Sequence, residues 1–365
     1  MLHNWLVPDK QFSALKGNKL HAQVRFYSKK NTDLDGVKTA LIGLDQSADL
    51  VRKQLYQYAA FSGNGERVIA DLGNIRKKNQ EFIIPLISEL LQAGIIPVIL
   101  CEDAGLLTAQ FNAYKMLKQK VNLTVVDECV RLSLSGVNRD YINTILEEQE
   151  IDQLLQLSVI AAQGHLTDHE VLNYFEMRHF DVVRLGSVRS APEENEPIIR
   201  DADMVAFHLS ALKNIEAPAQ VPSSPSGLFV EEACRLCRYA GMSDKLTSVG
   251  FYGYDFRKDR DQLSAQVIAQ MLWYFWDGLL NRVNDYPASN DGLVEYIVDY
   301  KVHQYQLVFW QSSKSGRWWM QIPLSENTEM RRHALLPCSY SDYLAACKGE
   351  LPERLINAFQ RLPRL

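Results

Sequence analysis

The hydrophobic pattern of the chain alternates between two kinds of segment. Short runs of apolar and β-branched residues alternate with longer stretches in which apolar residues recur every three or four positions. That alternation is typical of a parallel β-sheet covered by helices on both faces. It predicts a three-layer α/β/α fold with a mostly parallel sheet of eight strands, at Val37–Gly43, Arg67–Asp71, Ile95–Leu100, Leu123–Val126, Leu157–Ala162, Val182–Leu185, Met204–His208 and Thr247–Phe251.

Two stretches carry the apolar stripe of a helix that packs on such a sheet, Glu81–Ala93 and Leu263–Leu280. In an open parallel sheet, ligands bind outside the carboxyl ends of the strands, so the residues that follow each strand are the first candidates for chemistry. The segment Glu216–Gly227 is rich in proline and serine, which predicts a long loop at the same edge.

The pattern changes after Asp285. A linker is followed by two predicted strands joined by a turn at Ser312–Gly316, and a final helix is predicted over Ser341–Leu362. We therefore expect a first α/β domain over residues 1–292 and a small extension, a hairpin and a helix, packed on it over 293–365. Four aromatic residues of the hairpin are expected to form its core or to contact another protein. They are Phe309, Trp310, Trp318 and Trp319.

Composition and charge exclude several classes of function. The 365 residues carry a formal net charge of -5, and no stretch interleaves basic with aromatic residues, so nucleic acid is not an expected partner. No apolar run reaches bilayer length and residues 1–10 lack a signal core, so we expect a cytoplasmic protein without membrane insertion.

Six cysteines are too few for a disulfide scaffold. Cys234 and Cys237 form a CxxC, which we interpret as buried apolar residues of a helix rather than a redox or metal site.

Several motifs resemble one known family. The motifs are IADLGNI (Ile69–Ile75), the strand IIPVIL, the helix start DRDQLSAQVIAQ (Asp259–Gln270) and GRWW (Gly316–Trp319). The order of strands and motifs from Val37 to Leu280 resembles the ureohydrolases, the arginase and formimidoylglutamase family, and in particular a formimidoylglutamase-like branch found in Bacteroidetes. The resemblance implies an arginase-like fold and, for the family, hydrolysis of linear amidines by water bound between two Mn²⁺ ions.

This sequence departs from the metal-binding pattern that the resemblance implies. The family's first ligand histidine matches Ala104 in Cys101-Glu102-Asp103-Ala104. Its Asp-x-His-x-Asp matches Asp127, Cys129 and Arg131, and its Asp-x-Asp matches His208 and Ser210. Five of the six positions differ, and the family's substrate-side glutamate aligns with Gly250. The resemblance therefore implies a former active-site cleft with a degenerate metal site.

Arg131 is the most informative of these differences, because a guanidinium keeps its positive charge in proteins. A fixed charge there should exclude a metal ion, so no cofactor is expected. We expect Arg131 to pair instead with Asp127, Asp103 or Glu102, whose carboxylates would otherwise be buried without a counter-charge.

Other interpretations of the same residues remain open. His208 is first a candidate for a hydrogen-bonded core histidine. Asp127, Cys129 and His208 could hold one zinc ion, and manganese or zinc is expected only if the site has been rebuilt in this way. Cys129 could also be a nucleophile with His208 as its base. His165 and His169 lack the glutamate of an HExxH motif and are interpreted as surface residues.

Two classes of function follow from the sequence. The first is a pseudoenzyme of the ureohydrolase fold, which binds a small molecule in the former cleft or a protein partner through its aromatic extension. The second is a formimidoylglutamase-like hydrolase of amidine C–N bonds with a single metal or a Cys/His site. Self-association into a homo-oligomer is expected by analogy only.

Overall fold

The coordinates are a computed structural model. It describes residues 5–7, 17, 19–28, 33–62, 68–147, 153–300, 305–322 and 332–361. All eight predicted strands of the main sheet are present, and two short ones precede them. The ten strands are β1 (Leu6–Val7), β2 (Val24–Phe26), β3 (Thr39–Gly43), β4 (Ile69–Ile75), β5 (Ile96–Leu100), β6 (Val121–Val126), β7 (Leu154–Ala162), β8 (Asp181–Arg184), β9 (Met204–His208) and β10 (Ser248–Tyr252). Arg67, the predicted start of the second strand, lies outside the described residues.

The main sheet is parallel except at one edge. Its order is β1-β4-β3-β5-β10-β9-β6-β7-β8, with β2 also paired to β4. Among the strands that the structure describes, only β1 runs antiparallel, to β4. The central strands β3, β5, β6, β9 and β10 are buried throughout, which is why they read in the sequence as short continuous apolar runs. The predicted α/β architecture is confirmed.

Nine α-helices are found among the described residues of the part of the chain that forms the main sheet, and they cover both of its faces. They are α1 (Ser47–Leu55), α2 (Gln80–Gln92), α3 (Leu107–Met116), α4 (Tyr141–Glu147), α5 (His169–Met177), α6 (Leu185–Ser190), α7 (Asn195–Asp201), α8 (Val230–Met242) and α9 (Leu263–Leu280). Two separate apolar clusters result, one on each face: α8 and α9 contribute to one, α2 and α3 to the other. The helices predicted at Glu81–Ala93 and Leu263–Leu280 are confirmed as α2 and α9.

The C-terminal part is larger than the predicted hairpin and helix. Four strands form a separate antiparallel sheet in the order of the chain, β11 (Leu293–Tyr300), β12 (Tyr305–Ser312), β13 (Trp318–Gln321) and β14 (Leu335–Cys338). The predicted hairpin is the central pair of this sheet. The single helix expected over Ser341–Leu362 is instead two helices, α10 (Tyr340–Cys347) and α11 (Glu353–Arg361), and Leu362 lies outside the described residues. A turn at Gly349 separates them, with φ of +85°.

The extension, here residues 293–361, has its own apolar cluster and also packs on the main sheet. Phe309 and Trp318 are buried in that cluster. Trp319 is buried too, but its ring lies against the guanidinium of Arg200, 4.3 Å from the ring centre. Arg200, on α7, also donates to the backbone oxygens of Trp318 and Cys338. The aromatic residues therefore form a core and an internal contact, with Trp310 only half-buried.

A search of the described helices for a membrane-spanning segment finds none that combines the necessary length and apolarity.

Candidate functional site

The register of the parallel strands brings the candidate residues to one edge of the sheet. Tyr252 pairs with His208, and Phe207 pairs with Val126, so the chain leaves β6, β9 and β10 at the same level. Asp127 directly follows β6, and its backbone N–H bonds to Ile160 of the neighbouring strand. The segments after these strands therefore meet, as the sequence predicts for the carboxyl edge.

Asp127 lies at the centre of the site and is completely buried. Its carboxylate accepts five hydrogen bonds, from the Glu128 N–H, Arg131 Nε and Nη2, the Tyr141 hydroxyl and the Ser210 hydroxyl. Burial by itself would raise the pKa of Asp127. The charge of Arg131, that of His208 when protonated, and the hydrogen bonds outweigh burial and hold the pKa below its ordinary value. Asp127 is therefore ionised and fully paired.

Arg131 binds Asp127 side-on with two nitrogens. Nε lies 2.7 Å from Oδ2 and Nη2 lies 3.2 Å from Oδ1, while Nη2 also donates to Ser210 Oγ at 3.0 Å. Weaker contacts reach Glu128 and Asp140. Burial opposes the charged form of Arg131, but the Asp127 charge and hydrogen bonds raise its pKa overall. The guanidinium thus stays charged inside the site.

His208 is held next to this pair by Ser210. Its Nδ1 lies 2.7 Å from Ser210 Oγ and 3.8 Å from Asp127 Oδ1. Burial lowers the pKa of His208 to about 4, so the ring is neutral at neutral pH. Gly253 faces the ring, and a Cβ on this residue would lie 2.6 Å from His208 Cε1. The interpretation of His208 as a hydrogen-bonded core histidine agrees with this packing.

The first predicted motif lies at the edge but does not join the Arg131 cluster. Asp103 is exposed and caps a short turn through the Gly105 N–H. Ala104 begins that turn. Glu102 pairs with Arg257, on the segment after β10. Of the three partners expected for Arg131, the structure therefore gives Asp127 and not Asp103 or Glu102.

Gly250 is not a part of the cleft. It lies in the middle of β10, and a Cβ there would be 2.4 Å from the Tyr252 ring and 2.7 Å from Gln110 Oε1. Tyr252 and Gln110 are themselves joined by a hydrogen bond of 2.8 Å in the core between sheet and α3. A side chain at position 250 would therefore point towards this core.

The donor set does not fit a pair of Mn²⁺ ions. Asp127, Glu128 and Cys129 do offer ligand atoms that all lie within 4.8 Å of one another. However, both oxygens of Asp127 are bonded to Arg131. The remaining family positions carry Ala104, Ser210 and His208, and the Nδ1 of His208 is engaged with Ser210. Burial raises the pKa of the Cys129 thiol to about 12, so it is protonated at neutral pH. No hydrolytic step through bound metal can be derived from these residues.

Sequence reasoning missed several members of the cluster. Tyr141 begins α4 and donates to Asp127 Oδ2 at 2.6 Å. Glu128 is buried, and burial raises its pKa above the ordinary value. Gln163 ties the end of β7 to the predicted loop Glu216–Gly227 through the Ser226 backbone oxygen. Glu128 stands inside the aligned motif and could have been found, whereas nothing in the sequence pattern singles out Tyr141.

A cavity of about 660 Å³ opens at the same edge, beside Gln163. Its lining includes the basic residues His165, Arg184, Arg189 and Lys213, with no aspartate or glutamate. Arg189 is engaged by Glu232 and by the Gly227 backbone oxygen. The Arg184 guanidinium points towards Gly164, where a Cβ would lie 3.2 Å from Nη1. This basic rim cavity has the charge to bind an anion.

The structure also gives the exposure of two histidines and two cysteines that the sequence analysis considered. His165 and His169 are exposed, in a short turn and at the start of α5. Cys234 and Cys237 are buried in the core on α8, and burial raises the pKa of both thiols. They behave as small apolar residues rather than as a redox pair.

Comparison with solved structures identifies proteins of the same fold. Formimidoylglutamase from Bacillus subtilis has a TM-score of 0.62 at 16% identity, with 75% of this chain and 97% of that chain covered. Formiminoglutamase from Trypanosoma cruzi, in a structure with Mn²⁺, has a TM-score of 0.61 at 15% identity, covering 69% and 96%. Agmatine ureohydrolase of Thermoplasma volcanium has a TM-score of 0.56 at 16% identity, covering 73% and 96%.

The sequence itself matches no family model and no curated protein. At 15–16% identity the structural likeness establishes the fold, and the activity has to be argued from the site. The chain has the mostly parallel α/β fold of arginase-superfamily proteins, with a four-stranded antiparallel sheet added at its C-terminal end.

Proposed function

We propose that this chain is a ligand-binding protein built on the arginase fold, and that it does not hydrolyse amidines with two manganese ions. One observation carries the proposal: the Arg131 guanidinium bonds to both carboxylate oxygens of Asp127, the one family ligand position that this sequence retains. The charge that metal ions would supply to this carboxylate comes instead from the chain itself.

The electrostatic cost of adding a metal supports this proposal. With an effective dielectric constant of about 20, a divalent cation about 4 Å from a guanidinium is repelled by roughly 8 kcal/mol. Arg131 is only 12% exposed, so solvent screens that repulsion weakly. A metal could enter only if Arg131 left the site, and Asp127 would then lose two of its five hydrogen bonds.

The basic rim cavity supports the proposed binding of a ligand. Arg184 and Lys213 contribute positive charge to a cavity without carboxylates, and Ser187 and Ser226 add small polar groups to its lining. Such a lining favours a small anion that carries carboxylate or phosphate groups. The ligand would bind beside the Arg131 cluster, since Gln163 lines the cavity and its backbone N–H bonds to the Glu128 backbone oxygen.

A metal-dependent amidine hydrolase is the second candidate, because Asp127, Glu128 and Cys129 could together hold a single ion. A Cys129 nucleophile is less well supported. Its thiol is protonated at neutral pH, and the Nδ1 of His208 is engaged with Ser210 rather than with Cys129.

Metal analysis separates the two candidates. Protein purified without chelator and equilibrated with Mn²⁺ and Zn²⁺ should carry almost no metal and release no product from formimidoylglutamate, arginine or agmatine. Arg131→Ala, which frees Asp127, should bind Zn²⁺ more tightly than the native chain, whereas the matched surface variant Arg139→Ala should not. One or two tightly held ions in the native chain, with turnover, would establish the hydrolase instead.

Ligand binding at the rim has its own test. Calorimetric titration with inorganic phosphate and with glutamate should show saturable binding that weakens in Arg184→Ala and Lys213→Ala. Lys348→Ala, an exposed lysine after α10, is the control. Binding unchanged in both rim variants would exclude this cavity as the ligand site.

Protein partners and self-association through the extension also remain proposals. The edge strand β11 exposes Val294 and Ile297, which could contact another chain. Deleting residues 293–365 should then abolish partner binding, and a truncated protein that keeps its partners would exclude this role.

A further inference from the structure

One face of the main sheet carries a polar band where the fold predicts apolar residues. Asn122 and Thr124 of β6 pair with Gln156 and Ser158 of β7, and Ser158 pairs with Asp181 of β8. Paired residues of neighbouring strands point to the same face, so all five side chains lie together. Both faces of a covered parallel sheet are normally apolar, and the band therefore requires an explanation.

On the same face of the sheet, the next set of paired residues towards the carboxyl edge is apolar. There Val126 pairs with Ile160, and Ile160 pairs with Val183. The band thus lies one or more rows away from the carboxyl edge, where the Arg131 cluster is. Arg184, at the end of β8, lines both the rim cavity and the cavity over the band.

The polar band is the floor of a cavity of about 740 Å³. The rest of the lining comes from α5, from α7, which contributes Pro197 and Ile198, and from the extension. The extension contributes Leu336 of β14 together with polar residues of α11, among them Arg354 and Asn357. The cavity therefore exists only because the extension packs against the main sheet.

Among the aspartates that line the cavity, Asp181 is the one without an ion-pair partner in the described residues. Two other aspartates in the lining are paired, Asp201 with Lys245 at 2.6 Å and Asp342 with Arg354 at 3.0 Å. Asp181 accepts hydrogen bonds only from neutral groups, Gln156 Nε2 at 2.6 Å and Ser158 Oγ at 3.1 Å. Within the described ranges Asp181 forms no ion pair, and the lining adds the carboxylates of Glu176 and Glu353 together with the basic side chains of His179 and Arg184.

A second observation points to a ligand. Thr124 is only 2% exposed and lines the cavity, yet its hydroxyl makes no hydrogen bond with any residue that the structure describes. That hydroxyl is accessible from the cavity, where it can bond to a ligand. Thr124 pairs with Ser158, so its hydroxyl lies beside the same floor as the Asp181 carboxylate.

We propose that this cavity binds a small organic ammonium ion, a primary amine on a short aliphatic stem. An ammonium group has three hydrogen-bond donors and no acceptor, which matches the acceptors Asp181, Thr124 and Ser158. Its charge balances the Asp181 carboxylate. The aliphatic stem lies along Pro197, Ile198 and Leu336, the apolar part of the wall.

Binding of the amine is linked to the packing of the extension. The ligand contacts the sheet on one side and β14 and α11 on the other, so it stabilises the docked arrangement by mass action. Protection of the extension from proteolysis should therefore increase when the amine is bound.

The test uses the full-length chain and two probes of matched size, butylamine and butyrate. Saturation-transfer NMR and calorimetry should show saturable binding of butylamine, with a dissociation constant in the millimolar range or tighter, and none of butyrate. Asp181→Asn, which keeps the shape and removes the charge, should weaken butylamine binding at least about tenfold. Glu170→Gln, an exposed acid on α5 outside the cavity, should leave it unchanged.

Three results would overturn the proposal. They are no saturable binding of butylamine, equal binding of the two probes, or butylamine binding that Asp181→Asn does not weaken. If Asp181→Asn fails to fold by circular dichroism, Thr124→Val provides the test, because it removes one acceptor and keeps the volume. A Thr124→Val protein that binds butylamine as the native chain does would then exclude the site.

Discussion

Replacing Arg131 by methionine tests the pair on which the proposed function depends. Methionine keeps most of the aliphatic volume and removes the guanidinium, so Asp127 is left ionised, fully buried and without a counter-charge. The carboxylate of Asp127 keeps three hydrogen-bond donors, from Glu128, Tyr141 and Ser210. Breaking a buried ion pair by removing one partner costs about 3–5 kcal/mol, and Arg131→Met should lower the free energy of unfolding by that amount.

The same pair should show energetic coupling. Asp127→Asn alone leaves the Arg131 charge without its partner, whereas the double variant leaves no buried charge unpaired. We therefore expect the double variant to be more stable than the sum of the single changes predicts, by about 1–3 kcal/mol. Urea unfolding of the four proteins at neutral pH, followed by circular dichroism, measures this coupling.

Arg139→Met is the matched control. Arg139 pairs with Glu147 on the surface, where both side chains are 50% exposed, so its loss should cost less than about 1 kcal/mol. If Arg131→Met costs no more than Arg139→Met, or if the changes at Arg131 and Asp127 are simply additive, then the guanidinium does not hold the Asp127 charge and the argument against metal binding fails.

Three further predictions concern other parts of the chain. The pKa of His208 in the folded chain is about 4, against an ordinary value of 6.5. Lowering the pH from 6.5 towards 4 should therefore destabilise the native chain by roughly 3 kcal/mol more than it destabilises the His208→Gln variant. Equal dependence of stability on pH in the two proteins would contradict this. Cys129 should react with iodoacetamide far more slowly at neutral pH than exposed Cys347, as peptide mass spectrometry can show. Arg200→Met should make the extension easier to cleave by trypsin at low enzyme ratio, whereas unchanged cleavage would mean that Arg200 does not hold it.

Much of the fold follows from the sequence because burial on both faces leaves a local pattern. The strand Met204–His208, predicted from its apolar run, has the same bounds in the structure. For strands that carry polar residues, the same reliance on apolar runs predicts bounds that are too short. The prediction began at Leu123 and Leu157, but β6 begins at Val121 and β7 at Leu154, so Asn122 and Gln156 were left out. Those residues belong to the polar band.

The sequence by itself places Ala104 and Arg131 at positions where the resemblance implies metal ligands, and neither side chain is one that binds metal ions. The tertiary structure decided which carboxylate Arg131 binds, because that choice depends on the distance between loops that follow different strands. It also decided that Gly250 faces the core, that Tyr141 joins the cluster, and that the extension closes a cavity over the sheet. These are contacts between residues far apart in the chain, and periodicity along the chain carries no information about them.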